Sequence, residues 1–223
     1  FASVLLWMQL TNPWVWMALL VMGSYGVLGF VDDFSKFRKK GGLRARSKLV
    51  WQFAVAGAVM AFLFFYLRPE GVVDYSLDIY VPFLRSDEYH LSLPPWLYMI
   101  FGSFVIVATS NGVNLTDGLD GLAIGPVIIA AGTFLLLCYL TDLSIAGFDV
   151  SSYLLIPKVS GVQELTILCA AIIGAGIGFL WYNTFPAQVF MGDVGSLALG
   201  GVLGCMAVFS KNELLSVIIF GIF

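Results

Sequence analysis

The 223 residues are 60% hydrophobic and 15% aromatic, and only 11% carry charge, against roughly a quarter in an ordinary soluble domain. That balance excludes a water-soluble fold, and a formal net charge of −3 is too small to suggest nucleic acid as a partner, for which the apolar blocks leave no face. Uncharged blocks fill residues 1–31, 49–67, 96–116, 121–141, 165–192 and 194–210, each near the 17–25 apolar residues that cross a bilayer core. The chain therefore reads as all-α, a polytopic transmembrane helical bundle. A secretory signal is excluded because the apolar segments recur along the whole chain.

In chain order, residues 1–10 form the tail of one span and Thr11-Asn12-Pro13 a turn. Six complete spans follow at about 14–31, 49–67, 96–113, 121–141, 165–182 and 195–210, and a further one begins near 214. The apolar stretch 214–223 is too short to cross a membrane alone at 1.5 Å per residue. With the apolar opening, this marks residues 1–223 as a single transmembrane domain read as an internal fragment, with partial spans at both ends. Seven of the 11 Lys and Arg residues crowd into the segment 32–48: Lys36, Arg38, Lys39, Lys40, Arg44, Arg46 and Lys48. By the positive-inside rule this basic loop is cytoplasmic. Alternating the spans puts loops 114–120 and 183–193 on the same side and 68–95, 142–164 and 211–213 outside. Alternating polarity within 72–93 predicts a small outer hairpin.

The acidic residues then sort by side. Nine lie outside (Glu70, Asp74, Asp78, Asp87, Glu88, Asp142, Asp149, Glu164 and Glu213) and read as solvated charges, whereas Asp32, Asp33, Asp117, Asp120 and Asp193 share the inner face with the basic loop. His90 falls in the outer hairpin, away from that group. Cys138, Cys169 and Cys205 sit singly in different spans, without metal or disulfide spacing, and read as packing residues. Glycines inside the spans suit close helix packing in lipid.

Three inner segments carry the chemistry. In Gly29-Phe30-Val31-Asp32-Asp33 a span is expected to end on two carboxylates, which the helix macrodipole and their mutual repulsion disfavour. In Asn111-Gly112-Val113-Asn114-Leu115-Thr116-Asp117-Gly118-Leu119-Asp120-Gly121, polar side chains alternate with glycines at a membrane border, so backbone turns tightly and approaches a ligand closely. In the segment from Trp181 to Ser196, Pro186 interrupts the apolar run and Asp193 opens the next span, where the helix N-terminus favours its charge. Helix capping explains any one of Asp117, Asp120 and Asp193, but not the convergence of five carboxylates beside seven basic residues. That combination suits a divalent cation and a phosphate-rich ligand, since Mg²⁺ takes one or two carboxylates plus substrate phosphate oxygens. No Gly-x4-Gly-Lys-Ser/Thr loop is present. The residues point to a membrane-embedded phosphoryl transferase.

The same segments, extended through Asn114-Leu115-Thr116-Asp117-Gly118-Leu119-Asp120-Gly121-Leu122-Ala123 and Asn183-Thr184-Phe185-Pro186-Ala187-Gln188-Val189-Phe190-Met191-Gly192-Asp193-Val194-Gly195-Ser196, resemble the signatures of the bacterial phospho-N-acetylmuramoyl-pentapeptide transferase family, within the polyprenyl-phosphate N-acetylhexosamine-1-phosphate transferases. The resemblance covers essentially the whole chain. It implies transfer of phospho-N-acetylmuramoyl-pentapeptide from UDP-N-acetylmuramoyl-pentapeptide to undecaprenyl phosphate, giving lipid I and UMP. It also implies Mg²⁺ dependence, about ten spans in the full-length family, a homodimer and a place in the bacterial inner membrane with the site on the cytoplasmic face. Carried over residue by residue, Asp193 ligates the metal, and Asp32 and Asp33 act on the lipid phosphate or assist placement. Lys48, Asn114, Asp117, Gly118, Leu119, Asp120, Asn183 and Phe190 line the uridine and diphosphate pocket, with Phe190 able to stack on uracil. The family's early basic segment and its late His-rich motif are not among these 223 residues, so the isolated fragment is expected to be inactive. Two other readings stand beside this one: a related transferase of phospho-N-acetylglucosamine, and a cation-coupled transporter, whose carboxylates belong near the bilayer midplane.

Overall fold

The computed structural model describes residues 2–39, 41–68, 71, 75–84, 89–141, 143–145 and 147–223. Lys40 and the acidic residues Glu70, Asp74, Asp87, Glu88 and Asp142 lie outside the described residues. In chain order, α1 is Ala2–Trp7, α2 is Pro13–Lys39, and α3 is Ala45–Phe62, running on as a π-helical turn Leu63–Leu67. Strands β1 (Asp78–Tyr80) and β2 (His90–Ser92) precede α4 (Pro95–Thr116) and α5 (Ile124–Leu140). Two-residue strands β3 (Ser144–Ile145) and β4 (Phe148–Asp149) lead through the short α6 (Val150–Tyr153) to α7 (Leu165–Asn183), α8 (Gly192–Phe209) and α9 (Glu213–Ile219).

Among the described residues, five helical stretches are long and apolar enough to cross a bilayer: Pro13–Arg38, Ala45–Leu67, Pro95–Thr116, Val162–Asn183 and Gly192–Phe209. The fourth predicted span, 121–141, exists as α5 but is only 17 residues long, because Gly121 holds φ +73° and the chain turns before Ile124. The expected hairpin is present, with Asp78 opposite Ser92 and Tyr80 opposite His90 in antiparallel register.

α8 is the central post, with 72% of its apolar window buried. Its small residues explain why neighbours come so close. A Cβ on Gly200 would stand 2.7 Å from Ser110 Cα, one on Gly204 2.7 Å from Ile106 Cα, and one on Gly201 2.6 Å from the Tyr25 ring. Thus α4 packs on one side of α8 and α2 on another, by van der Waals fit where lipid supplies no hydrophobic drive between helices. On the flank, Gly176 of α7 receives Ile128 of α5 in the same way. All three cysteines are buried in this packing.

Two sequence expectations change. The span beginning near residue 14 does not stop at Asp32-Asp33: α2 continues to Lys39, with no Gly or Pro between Asp33 and Gly41-Gly42. Lys36, one turn on, pairs with Asp32 at 2.7 Å and Asp33 at 3.1 Å, the i,i+4 and i,i+3 spacings that favour helix. The two carboxylates are therefore mid-helix, clear of the last turn, and the macrodipole objection does not apply to them. Glu213, expected as a solvated charge, is 1% exposed. It pairs at 3.2 Å with Lys211, also buried, and Tyr98 donates its hydroxyl to the carboxylate. The Lys211 ammonium lies 4.2 Å from the Tyr98 ring centroid, a cation–π placement. The α8–α9 turn folds inward, with Lys211 at φ +60°, and sets Lys211 against both Tyr98 and Glu213, the kind of partnering that burial of ionisable side chains demands.

Candidate active site

Four helices deliver one side chain or more to a single point at the end of α8. Asp193, in the first turn of α8, accepts from Asn114 Nδ2 of α4 at 3.0 Å through Oδ1, and meets Lys48 of α3 and Lys36 of α2 at 3.1 Å each through Oδ2. Asp32 is fully buried. Both of its oxygens are committed, Oδ1 to the Leu43 N–H at 2.6 Å and Oδ2 to Lys36 and Lys48 at 2.7 and 3.2 Å. Asp33 keeps 34% of its side chain exposed and, among the described residues, pairs with Lys36 alone, at 3.1 Å. One oxygen from each of Asp32, Asp33 and Asp193 falls within 4.8 Å of the others. Asn114 also donates to Ser196 Oγ at 2.8 Å, and Ser196 donates to the Gly192 carbonyl at 2.8 Å, which fixes the first turn of α8 under the carboxylate.

Backbone at two glycines makes the approach possible. Gly29 of α2 lies against the Asp193 peptide, where a Cβ would sit 2.2 Å from the carbonyl oxygen. Gly192 takes φ +62°, and its missing Cβ leaves the space beside Asp33 Oδ2, 2.8 Å from where that Cβ would be.

The remaining predicted residues form the rim. Asp117 closes α4 and is partly exposed. Burial first, then the charges of Asp193 and Asp33, push its carboxyl up to about 6. Asp120 accepts from the Ala187 N–H at 3.0 Å, and Asn183 accepts from the Gly121 N–H at 3.1 Å while donating to the Val189 carbonyl at 2.9 Å. These bonds tie the loop after α4 to the loop before α8. Gly118 and Leu119 are exposed on the first loop, and Phe190, 71% exposed, stands on the second. Phe190 also borders an apolar cavity of about 330 Å³ that reaches Val194 and Gly195, next to Asp193.

Sequence reasoning counted Lys36 only as one of seven basic residues, and did not single out Ser196 as a partner of Asn114. Lys36 was findable from its i+4 spacing to Asp32 once α2 was allowed to continue. The Leu43 N–H, a backbone donor from the loop, leaves no signal in residue identity.

Gly121→Ala tests the loop tie. A side chain at φ +73°, 3.4 Å from the Asn183 carbonyl, is expected to cost about 1–2 kcal/mol, read as a lower melting temperature. Gly125→Ala, helical with open space around it, is expected to be neutral or stabilising by about 0.5–1 kcal/mol. Equal melting temperatures for the two variants would mean that Gly121 is not held in this conformation.

Residues 15–211 match the family model described as glycosyl transferase family 4, and the chain belongs to that family. Among curated proteins it is similar to the phospho-N-acetylmuramoyl-pentapeptide-transferase of Sorangium cellulosum (strain So ce56), 53% identical over 98% of this chain and 59% of that protein. Proteins of the same name from Geobacter sp. (strain M21) and Anaeromyxobacter sp. (strain Fw109-5) are 50% and 51% identical, over 98% and 99% of this chain and 58% and 61% of their own length. The chain thus spans 58–61% of these relatives.

Proposed function

We propose that this chain carries the catalytic core of a phospho-N-acetylmuramoyl-pentapeptide transferase. The reaction moves phospho-N-acetylmuramoyl-pentapeptide from its UDP-linked donor to undecaprenyl phosphate, giving lipid I and UMP. It is the first membrane step of peptidoglycan synthesis, run by a homodimer at the cytoplasmic face of the bacterial inner membrane. The observation that carries this reading is the meeting of Asp32, Asp33 and Asp193 within 4.8 Å with Lys36 and Lys48 between them. The relatives' names supply the substrate.

The donor set fits Mg²⁺: three hard carboxylate oxygens are grouped with no thiolate or imidazole among the described residues of the cluster, and Mg²⁺ takes carboxylates together with substrate phosphate oxygens. Asp193 and Asp33 are the residues that would hold it. Bound there, Mg²⁺ would supply positive charge against the diphosphate and its transition state. Lys36 and Lys48 bring two positive charges to the same place, held by Asp32 and Asp193 so that no reorganisation is needed at the moment of reaction. In the reaction an oxygen of the lipid phosphate forms a bond to the sugar-linked phosphorus, and the bond from that phosphorus to the UMP phosphate oxygen breaks. A phosphate monoester with a second pKa near 6 is already mostly ionised at neutral pH, so positioning and charge offset dominate over proton removal. Asp33, with its partly exposed carboxylate, faces the acceptor; Asp32, buried and saturated with donors, orients the lysines. Phe190 and the linked loops at Asp120 and Asn183 form the nucleoside side.

The test is the full-length protein supplied with undecaprenyl phosphate and either UDP-N-acetylmuramoyl-pentapeptide or UDP-N-acetylglucosamine, with and without Mg²⁺. Lipid-linked product and UMP are expected from the first donor and only with Mg²⁺. Preference for the second donor would make this the related N-acetylglucosamine transferase.

A further inference from the structure

One turn below the carboxylate cluster, toward the membrane interior, a second polar contact joins the same two helices. Gln52 lies four residues after Lys48 on α3, and Asn111 three residues before Asn114 on α4, so each sits on the same helix face as its partner in the site. Gln52 is fully buried and is the only polar residue among the buried positions of α3. Its side-chain oxygen accepts from Asn111 Nδ2 at 2.8 Å, Asn111 Nδ2 also donates to the Val107 carbonyl at 2.8 Å, and the Gln52 backbone carbonyl accepts from the Tyr25 hydroxyl of α2 at 2.9 Å. Gln52 Nε2 is buried and has no hydrogen-bond partner among the described residues.

Local stability does not account for an amide here. A Leu would bury the same volume without stranding a donor, and a buried donor left unpaired is unfavourable. Ionisable or strongly polar side chains at membrane depth mark function more often than stability. What the amide does is geometric. The two helices are held by two rungs: above, Lys48 and Asn114 both grip Asp193; below, Gln52 and Asn111 grip each other. A rung of fixed length sets how far apart α3 and α4 stand, and thereby where the Lys48 ammonium and the Asn114 amide meet the two Asp193 oxygens.

We propose that Gln52 and Asn111 are positioning residues, whose amide bridge sets the α3–α4 spacing that aligns Lys48 and Asn114 on Asp193. The proposal rests on the reading of Asp193 as a metal-holding residue of a phosphoryl transferase.

The experiment compares full-length wild type, Gln52→Leu, Gln52→Met, Asn111→Leu, the double Gln52→Leu/Asn111→Leu, the swapped pair Gln52→Asn/Asn111→Gln, and Asp193→Asn. Turnover is measured with the donor, and Mn²⁺ binding with UMP present is followed by electron paramagnetic resonance. Both apolar Gln52 variants, chosen to insert and fold in lipid, are expected to lower kcat about tenfold to a hundredfold, as displacements near 1 Å do, with KM for the donor changed less than about twofold. Their Mn²⁺ dissociation constant is expected to rise about tenfold in parallel. The double variant is expected to be no worse than either single, because one bridge is lost in each case. The swapped pair, of the same summed length, is expected to restore kcat and Mn²⁺ affinity. Unchanged Mn²⁺ affinity in both Gln52 variants, additive single effects, or a swapped pair as poor as the singles would overturn the proposal. Near-normal turnover of Asp193→Asn, or no Mn²⁺ uptake by the wild type, would overturn the site reading and the proposal together. A normal Asp193 dependence with silent Gln52 variants would overturn the proposal alone.

Discussion

Asp193→Asn in the full-length protein is expected to reduce turnover by about 10³-fold or more, the scale of losing a preorganised electrostatic element of a transfer site. Asn keeps the size of the side chain, and its Oδ1 still accepts from Asn114. What disappears is the charge that Lys36 and Lys48 share at 3.1 Å, together with the carboxylate that would hold the metal. Folding is expected to survive. The charge at the α8 N-terminus contributes about 0.3–1 kcal/mol with the macrodipole, small against the packing of α8 between α2 and α4. Asp33→Asn is expected to behave alike with less effect on stability, since Asp33 is partly exposed and, among the described residues, meets a single lysine. Asp32→Asn is expected to lower stability as well, because Lys36 and Lys48 then lose a buried partner. UMP release alongside thermal unfolding separates the two effects. Turnover within about tenfold of wild type for both Asp193→Asn and Asp33→Asn would remove these residues from the chemistry.

Much of this site was legible in the sequence because charge is so scarce in it. With 11% of residues charged, each Asp at a span end stands out, and side counting alone put Asp32, Asp33 and Asp193 on one face, where the structure brings them together. Helices in lipid also announce themselves by length. What the sequence hid falls into two physical kinds. The first is where helices end: α2 runs through its carboxylates because Lys36 stabilises the next turn, and α5 starts late because Gly121 turns the chain. Hydropathy marks the membrane, not the helix, so a helix that leaves the membrane is invisible to it. The second kind is inward-facing polarity. Glu213 looked like a solvated charge, Gln52 drew no attention inside an apolar block, and Asn111 stood out only as the start of the polar segment 111–121. Their burial depends on which neighbours approach, and a linear pattern does not encode that. Asp120 and Asn183, expected to line the pocket, are seen holding the two loops to each other, a contact between segments about 60 residues apart in the chain.

Gly29→Ala is expected to lower turnover by about 10²-fold, although it removes no functional group. The added Cβ would lie 2.2 Å from the Asp193 carbonyl oxygen, 2.4 Å from its carbonyl carbon and 2.5 Å from the Val194 nitrogen. All three are backbone atoms in the first turn of a helix that is itself wedged against α4, so no rotamer change relieves the clash. To reach the ordinary contact range that begins at 3.4 Å, α8 or α2 must move by more than an ångström. That shift separates Asp193 from Asp32 and Asp33, which ride on α2, and detaches it from Lys36. Misplacement of about 1 Å costs on the order of 10²-fold in rate, and overpacking of this kind typically costs about 1–3 kcal/mol in stability. Gly26→Ala, one turn back on the same face, is the matched control. Its Cβ would meet Ala198 at 3.8 Å and the Val194 carbonyl at 3.9 Å, so turnover within about twofold of wild type is expected. If both variants work equally well, the close approach of α2 to the head of α8 does not set the carboxylate geometry. If only Gly29→Ala fails, and fails in turnover by more than its loss of melting temperature explains, the missing methyl at residue 29 is what lets carboxylates from two helices act as one site.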